Sequence, residues 1–582
     1  MSRLSFIVKN EVEPNIEIEN KTKYEQVNFE VDPTADKDIN DYIEKFLDIS
    51  DNARNNDKQE KEMSLLEGLK TYPKAAAWSV ILSTALVMEG YDTSLMGSLY
   101  GMPAFAEKFG MFEPSSQSYQ IPAKYQTIMG TCGNASSIIG LWFAGILADR
   151  FGYRKTIIAN LILVAIFIFI VFFAKNIGML MAGNILLGFP WGAFQTLSVA
   201  YASEVCPMVL RIYLTTYSNI CWIFGQLLSA GVMRAFVTST SEQSYKVPFA
   251  IQWVWPVPII IGVFFAPESP YWLVKNDKYK EAKRSIERLI TENKNVDKNI
   301  LSEAMLQKMQ MTVKGEQQEK KLPSYLECFK GVELRRTRIA ALTWLTQNLC
   351  GATLLSYSSY FYIQAGMAPE MSFTFTIIQF ALGIVGTIGS WFLSKRFGRF
   401  TIYFGGLCAL AVILMVIGGL GCSTDKNSMW GVGTLLIIYV MVYDLTVGPL
   451  CYCIVAEIPS VRLRAKSIII ARNLYNISGI VLSILTPYML NPGAWDWLAK
   501  VGFFWSGFTI VCAVWCFFDL PETKGKTFAD LDYLFQQNIK SRDFKNTEAS
   551  VFDAESYIHK LGDDGIKQLV EQNEFANNTG KV

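Results

Sequence analysis

The sequence predicts an all-α membrane protein of twelve transmembrane helices arranged as two six-helix bundles, and three observations carry that prediction. Of 582 residues, 51% are hydrophobic, 13% aromatic and only 18% charged, and the mean hydropathy is positive. That is too apolar for a soluble chain of this length. About twelve apolar stretches reach the ~20 residues a helix needs to cross a bilayer core. Charged landmarks after the second, fourth and sixth stretches return in the same order after the eighth, tenth and twelfth. The formal net charge of +1 gives no support to a nucleic-acid or acidic partner.

Residues 1–72 are rich in Glu, Asp, Asn and Lys with little periodicity, and read as a mostly disordered tail. The extreme N-terminus has no short apolar core with a cleavage site, so no signal peptide is expected. A first bundle, 73–268, contains predicted spans at 76–97, 125–148, 156–174, 178–203, 212–235 and 249–266. A charged linker, 269–337, follows, in which Lys278 to Lys294 has helical spacing. The second bundle, 338–520, contains spans at 338–364, 373–394, 400–421, 431–456, 466–489 and 497–519. A tail, 521–582, closes the chain, with a helical piece near Phe528–Gln537.

Lysine and arginine placement sets the orientation. Asp149–Lys155, Lys275–Arg338, Lys395–Arg399 and Arg462–Lys466 are basic, whereas the alternate loops carry isolated Lys108, Lys175 or Lys426. Positive-inside bias therefore predicts both termini and the linker in the cytoplasm. The sequons at Asn20 and Asn577 then fall on the wrong side for glycosylation, and those at Asn134 and Asn476 lie inside spans. Eleven cysteines are scattered, mostly in apolar segments, and Cys451-Tyr-Cys453 has no companion cluster for a metal. They read as small buried hydrophobes.

The halves repeat each other. Asp149-Arg150-Phe151-Gly152-Tyr153-Arg154-Lys155 is echoed by Lys395-Arg396-Phe397-Gly398-Arg399-Phe400. Glu204 with Arg211 recurs as Glu457 with Arg464 at identical separation, and Pro267-Glu268-Ser269-Pro270 recurs as Pro521-Glu522-Thr523-Lys524-Gly525. A parallel repeat of this kind points to rocking-bundle transport with a central site between the halves.

Two carboxylates stand inside the first span, in Met88-Glu89-Gly90-Tyr91-Asp92. A carboxylate in hydrocarbon needs a cavity, a cation or a proton, and residues three apart share one helix face. The single histidine, His559, lies in the C-terminal tail, so if the protein moves protons, carboxylates must carry them, and Glu89 and Asp92 are the candidates. Arg472 lies inside the eleventh span. It is read either as a snorkelling arginine or as a counter-ion for one of these carboxylates across the interface between halves. The lone histidine and the lack of a nucleophile or phosphate-binding loop leave no support for enzyme activity.

The landmarks resemble those of the sugar porter branch of the major facilitator superfamily. Gly145-Ile-Leu-Ala-Asp149-Arg150-Phe-Gly152-Tyr-Arg154-Lys155 and the two Pro-Glu motifs match its signatures from about Ala75 to Thr527. Pro190-Trp191-Gly192-Ala193-Phe194-Gln195-Thr196, Tyr201-Ala-Ser-Glu-Val-Cys-Pro207 and Tyr213-Leu-Thr-Thr-Tyr217-Ser-Asn219 are most similar to fungal α-glucoside (maltose-type) permeases. That resemblance implies a plasma-membrane sugar:proton symporter with the major facilitator fold, taking an α-linked disaccharide. It implies no cofactor beyond the proton as coupling ion and no obligate protein partner. A facilitative hexose carrier and a sugar sensor are the rival readings.

Family positions suggest Asn219 and Gln226 in the fifth span, Gln347, Asn348, Thr353 and Tyr357 in the seventh, and Tyr452 in the tenth as sugar ligands. Tyr475 and Asn476 are weaker additions. Asp149, Arg150, Arg154, Glu204, Arg211, Glu457 and Arg464 resemble the family's cytoplasmic charge network. The chain also departs from the pattern. Asn184 stands where sugar porters usually carry an arginine, Lys395 replaces an aspartate, and Gln347-Asn348 replaces a double glutamine.

Overall fold

A backbone in hydrocarbon has no water to bond, so apolar runs of spanning length close their hydrogen bonds internally as helices. The computed structural model describes residues 63–99, 102–113, 118–121, 123–236, 241–291, 298–317, 324–352, 369–422, 426–490 and 497–547. All twelve predicted spans contain helix. The first is Pro73–Ser83 with Ala85–Leu99, broken at Thr84, followed by Ala123–Phe151, Tyr153–Phe172, Ile177–Val205 and Met208–Phe236. The sixth runs from Gln243–Ile251 through Gln252–Val254 to Pro256–Phe265. The seventh is Gly331–Gln347 continued by a π-turn, Asn348–Ala352. The eighth and ninth are Pro369–Arg396 and Arg399–Leu420, and the tenth is Lys426–Leu445 with Val447–Glu457. Arg464–Leu490 and Val501–Asp519 complete the set.

Nine described helices are long and apolar enough to cross a membrane on their own composition. The first, fifth and seventh are not among them. The first is interrupted, the fifth is diluted by polar residues such as Arg211, Asn219 and Gln226, and the described α-helix of the seventh is 17 residues long. These three carry much of the predicted site.

Smaller elements depart from the sequence reading. Leu65–Thr71 is a helix inside the stretch assigned to the disordered tail, started by a capping box between Ser64 and Glu67. Met111–Glu113 and Ser118–Gln120 pair as a short antiparallel hairpin between the first two spans, an addition to an otherwise helical molecule. The linker holds Tyr279–Leu289 and Lys298–Gln317, and the C-terminal helix is Phe528–Gln536.

The repeated loop motifs have a structural cause. After the second span, Glu268 accepts from the backbone N–H groups of Tyr153 (3.0 Å) and Arg154 (3.2 Å) at the start of the third. After the eighth, Glu522 accepts from Arg399 N at 2.8 Å. Each carboxylate satisfies orphan donors at a helix N-terminus and complements its dipole. Gly152 and Gly398 admit these carboxylates: a Cβ would come within 2.5 Å of Glu268 and 1.7 Å of Glu522.

The first and fifth spans cross on reciprocal glycines. A Cβ on Gly225 would stand 2.0 Å from the Val87 carbonyl oxygen, and one on Gly90 2.1 Å from that of Trp222. Small residues of this kind let membrane helices approach backbone to backbone. Gly225→Ala should therefore lower stability by about 1–3 kcal/mol through overpacking. Gly231→Ala, where a Cβ meets nothing within 4 Å, should melt like the parent; thermal unfolding of the two purified variants in detergent checks the contrast.

Candidate functional site between the halves

The buried charge of the first span reaches the other bundle through a neutral intermediary. Glu89 is 4% exposed, and its Oε1 accepts from Gln195 Nε2 of the fourth span at 2.6 Å. Gln195 Oε1 in turn accepts from Arg472 Nε of the eleventh span at 2.7 Å. The direct Arg472–Glu89 separation is 3.9 Å. The glutamine amide thus serves both charges, presenting its N–H to the anion and its carbonyl to the cation. The Arg472 guanidinium also lies 4.3 Å from the Trp344 ring centroid and 4.1 Å from that of Tyr475, a favourable face for a desolvated cation. Arg472 is buried rather than snorkelling.

Asp92 is held differently. Its two oxygens accept from Trp191 Nε1 at 3.0 Å and Gln252 Nε2 at 2.8 Å, both in the first bundle. Neither donor is a cation, so of the two carboxylates only Glu89 has Arg472 beside it. Asn184, in the place of the expected arginine, donates to the Leu180 carbonyl at 3.2 Å.

The predicted sugar ligands fall on both sides of the division between halves. Asn219 Nδ2 donates to Thr387 Oγ1 at 3.0 Å and to Asp444 Oδ1 at 3.1 Å, so it bridges the fifth span to the eighth and tenth. Gln226 lies two turns further along the same helix and is buried. In the second bundle, Gln347 donates to the Gly448 carbonyl at 3.0 Å, and Asn348 to Tyr475 O and Ser478 Oγ, each at 2.8 Å. Tyr452 packs edge-on against Trp344, with centroids 4.9 Å apart, beside the ring that carries Arg472. Asn476 is buried in the eleventh span. Thr353 and Tyr357 lie outside the described residues.

The repeated loop charges meet at one end of the two bundles. Asp149 of the first bundle pairs with Lys466 of the second, and with Lys275 of the linker at 3.2 Å. Lys275 also donates to the Arg462 carbonyl at 3.3 Å. Glu204 accepts from Tyr153 and Ser269 and stands 3.7 Å from Arg464 across the division. The repeat is not reproduced in full. Glu457 pairs with Arg399 of its own bundle at 3.3 Å and accepts from Thr523, while Arg211 and Arg464 enclose the Phe528 ring at 3.6 and 3.7 Å.

Arg150 and Arg154 join no ion pair among the described residues; their guanidinium groups lie 5.5 Å from the Phe151 ring and 5.3 Å from the Phe264 ring. Burial of Glu268 in the adjoining loop favours its neutral form, an effect countered by the Ser269, Arg154 and Tyr153 backbone donors. A groove lined by residues such as Phe404, Val412, Met415 and Phe518 is apolar and has no part in this chemistry.

Sequence reasoning passed over Gln195, Trp191, Gln252 and Asp444. The first three are neutral groups whose roles appear only when their partners are known. Asp444 carried a signal, a lone acid in an apolar span.

Comparison with known proteins agrees with the architecture. The sequence profile described as sugar (and other) transporter matches residues 78–535. A maltose permease of Saccharomyces cerevisiae is 46% identical over 522 residues, covering 88% of this chain and 85% of the permease. An alpha-glucosides permease of the same species is 44% identical over 546 residues, covering 92% and 90%. Among solved structures, the proton:xylose symporter XylE bound to 6-bromo-6-deoxy-D-glucose superposes with a TM-score of 0.68 at 19% identity, covering 80% of this chain and 100% of that one. The inward-open XylE from E. coli superposes with a TM-score of 0.59 at 18% identity, covering 79% and 99%.

The relay through Gln195 is testable apart from any transport measurement. Gln195→Leu removes the donor to Glu89 and the acceptor for Arg472 together, leaving buried polar groups unsatisfied at about 1–3 kcal/mol each. The variant should melt several degrees below the parent in detergent, and an unchanged melting curve would show that the bridge contributes nothing.

Proposed function

The chain belongs to the sugar (and other) transporter family, and on that premise we propose that it imports α-glucosides of the maltose type together with protons, across the plasma membrane and by alternating access. Its similarity to maltose and alpha-glucoside permeases over about nine-tenths of the chain supports the substrate class. The Glu89–Gln195–Arg472 relay is the observation that carries the coupling. Positive-inside bias supports cytoplasmic termini, with tail 1–72, bundles 73–268 and 338–520, linker 269–337 and tail 521–582 as working divisions.

When the halves are together at the relay, the charge on Glu89 is compensated from the other bundle. When they part, the arginine leaves with its own bundle, and a buried carboxylate deprived of its cation must bind a proton or meet water. Sugar bound between the halves draws them together again, linking proton occupancy to substrate occupancy. A membrane potential of about 100 mV contributes about 2.3 kcal/mol per proton and a pH unit about 1.4. At tenfold per 1.4 kcal/mol, accumulation of a few hundredfold is within reach.

The pocket suits a neutral polyol. Asn219, Gln226, Gln347 and Asn348 offer amides for hydroxyl groups and Tyr452 an aromatic face, and specificity follows from polar groups left unpaired by the wrong hydroxyl pattern. Gln226→Ala and Gln347→Ala should each weaken maltose binding roughly ten- to a hundredfold, the equivalent of about 1–3 kcal/mol, at unchanged surface expression. Parent-like affinity of both variants for every α-glucoside tried would displace the pocket from this position.

Radiolabelled maltose uptake in transporter-deficient cells, with external pH followed in the same suspension, tests the coupling. Glu89→Gln combined with Asp92→Asn should abolish sugar-induced alkalinisation and uphill accumulation while retaining downhill exchange. Arg472→Ala should flatten the dependence of accumulation on the imposed pH gradient. A parent-like slope in all these variants removes the relay from the mechanism.

A further inference from the structure

Proton coupling through Glu89 and Asp92 leaves a further intramembrane carboxylate, Asp444, without a role. Asp444 lies near the middle of the tenth span and is 3% exposed. Its Oδ1 accepts from Asn219 Nδ2 at 3.1 Å, and the same amide donates to Thr387 Oγ1 at 3.0 Å. One amide of the first bundle therefore fastens two helices of the second. A glycine makes the space: a Cβ on Gly383 of the eighth span would stand 2.6 Å from Asp444 Oδ2. Just beyond Asp444 the tenth span is interrupted at Thr446, with φ −128° and ψ −82°.

The internal repeat shows what kind of place this is. Asn219 and Arg472 stand 253 residues apart, the spacing that also separates Glu204 from Glu457 and Arg211 from Arg464. Asn219 thus occupies on the fifth span the position of Arg472 on the eleventh. Each reaches across the division, Arg472 to Gln195 of the fourth span and Asn219 to Asp444 of the tenth. Fourth and tenth spans are themselves repeat mates. The molecule has two related seams, one crossed by a cation and the other by a neutral amide.

The consequence is electrostatic. Glu89 has a guanidinium 3.9 Å away, whereas Asp444 takes part in no ion pair among the described residues. The charged groups of the packed helices stand off from it. Arg211 and Arg234 lie at the ends of the fifth span, and Glu370, Lys395 and Arg396 at the ends of the eighth. Arg399 of the ninth is engaged by Glu457, and Tyr439 and Tyr443 are the ionisable residues nearest in sequence on the helix that carries Asp444. An isolated carboxylate charge at this depth costs several kcal/mol, and a proton removes that cost.

We propose that Asp444 is a further proton-carrying residue of the transport cycle, neutral while the seam between the fifth, eighth and tenth spans is closed and ionised when the halves part and water reaches it. The inference rests on the symport reading above and adds to it a further carboxylate, on the opposite seam from Glu89. Asp444 stands beside Asn219, which the reading above counts among the sugar ligands, so parting of the halves opens this seam together with the one at Glu89. Closure over sugar and protonation of Asp444 then favour each other.

Reconstituted full-length protein decides the matter. The logarithm of the maltose accumulation ratio is measured against an imposed pH gradient at fixed membrane potential, so that the slope reports protons per sugar. Asp444→Asn, which keeps an oxygen to accept from Asn219, is expected to transport with a slope lower by one proton, roughly tenfold less accumulation per pH unit of gradient. Asp444→Glu, which keeps an acid on a longer stem, should retain the parent slope and shift the midpoint of the pH profile of uptake. A parent slope in the asparagine variant overturns the proposal. So does a parent midpoint in the glutamate variant, which decides alone should the asparagine variant fail to reach the membrane. A parent that moves no protons overturns the symport reading instead, and is told apart by the absence of any slope before a substitution is made.

Discussion

The 2.7 Å hydrogen bond from Arg472 to Gln195, continued at 2.6 Å to Glu89, sits at a depth where neither the arginine nor the glutamate is tolerable without the other. Because the three residues come from two bundles, the electrostatic requirement of each half is met by the other. In the proposed cycle the first span cannot keep its charge when the eleventh moves away, and the contact then links conformation to protonation. Trp344 and Tyr475 of the second bundle both lie against the guanidinium. The cation therefore stays with the second bundle when the seam opens.

The same division between bundles organises the charged end of the molecule. There the repeat supplies equivalent groups, but the structure uses them unequally. Glu204 looks across to Arg464, while Glu457 is satisfied inside its own bundle by Arg399 and Thr523. Arg211 and Arg464, repeat mates from opposite halves, both lie against the Phe528 ring. A strictly symmetric network would place two identical ion pairs on the axis. The C-terminal helix breaks that symmetry by presenting the Phe528 ring to both arginines.

Much of this architecture was readable in the sequence because membrane helices announce themselves by length and apolarity. The twelve spans, the Glu/Arg repeat and the interruption of the apolar pattern by Glu89, Asp92 and Arg472 all follow from that contrast. Roles that depend on a neutral partner were not readable. Gln195 lies in a run of small and aromatic residues where a glutamine is as readily an interhelical hydrogen bond as a relay. Asp92 stands three residues from Glu89 and looks equivalent to it, but Trp191 and Gln252 hold it within its own bundle. Asn219, assigned by resemblance to a sugar, has protein partners in Thr387 and Asp444. Arg150 and Arg154 matched a loop signature, yet loop position alone does not say whether an arginine reaches a carboxylate or an aromatic face.

Free energy limits how firmly the halves can hold each other. A proton entering down about 100 mV and one pH unit releases roughly 3.7 kcal/mol, and a carrier whose seams exceed that by much would stay in one state. The contacts across the division suit this bound. They include hydrogen bonds worth about 0.5–1.5 kcal/mol each when both partners are neutral, somewhat more when one is charged, ion pairs such as Asp149 with Lys466, and an apolar contact of Ile223 and Ala230 in the fifth span with Phe380 in the eighth. Close backbone packing is placed elsewhere, within the first bundle, where Gly90 and Gly225 bring the first and fifth spans together. Tight backbone packing rigidifies the first bundle, and polar bonds together with the apolar contact of Ile223, Ala230 and Phe380 join the two halves. Polar bonds have a second property that packing lacks, since a proton or a hydroxyl group can replace the partner that is lost, so the seam can exchange its protein partners for substrate and solvent without leaving a buried group unsatisfied.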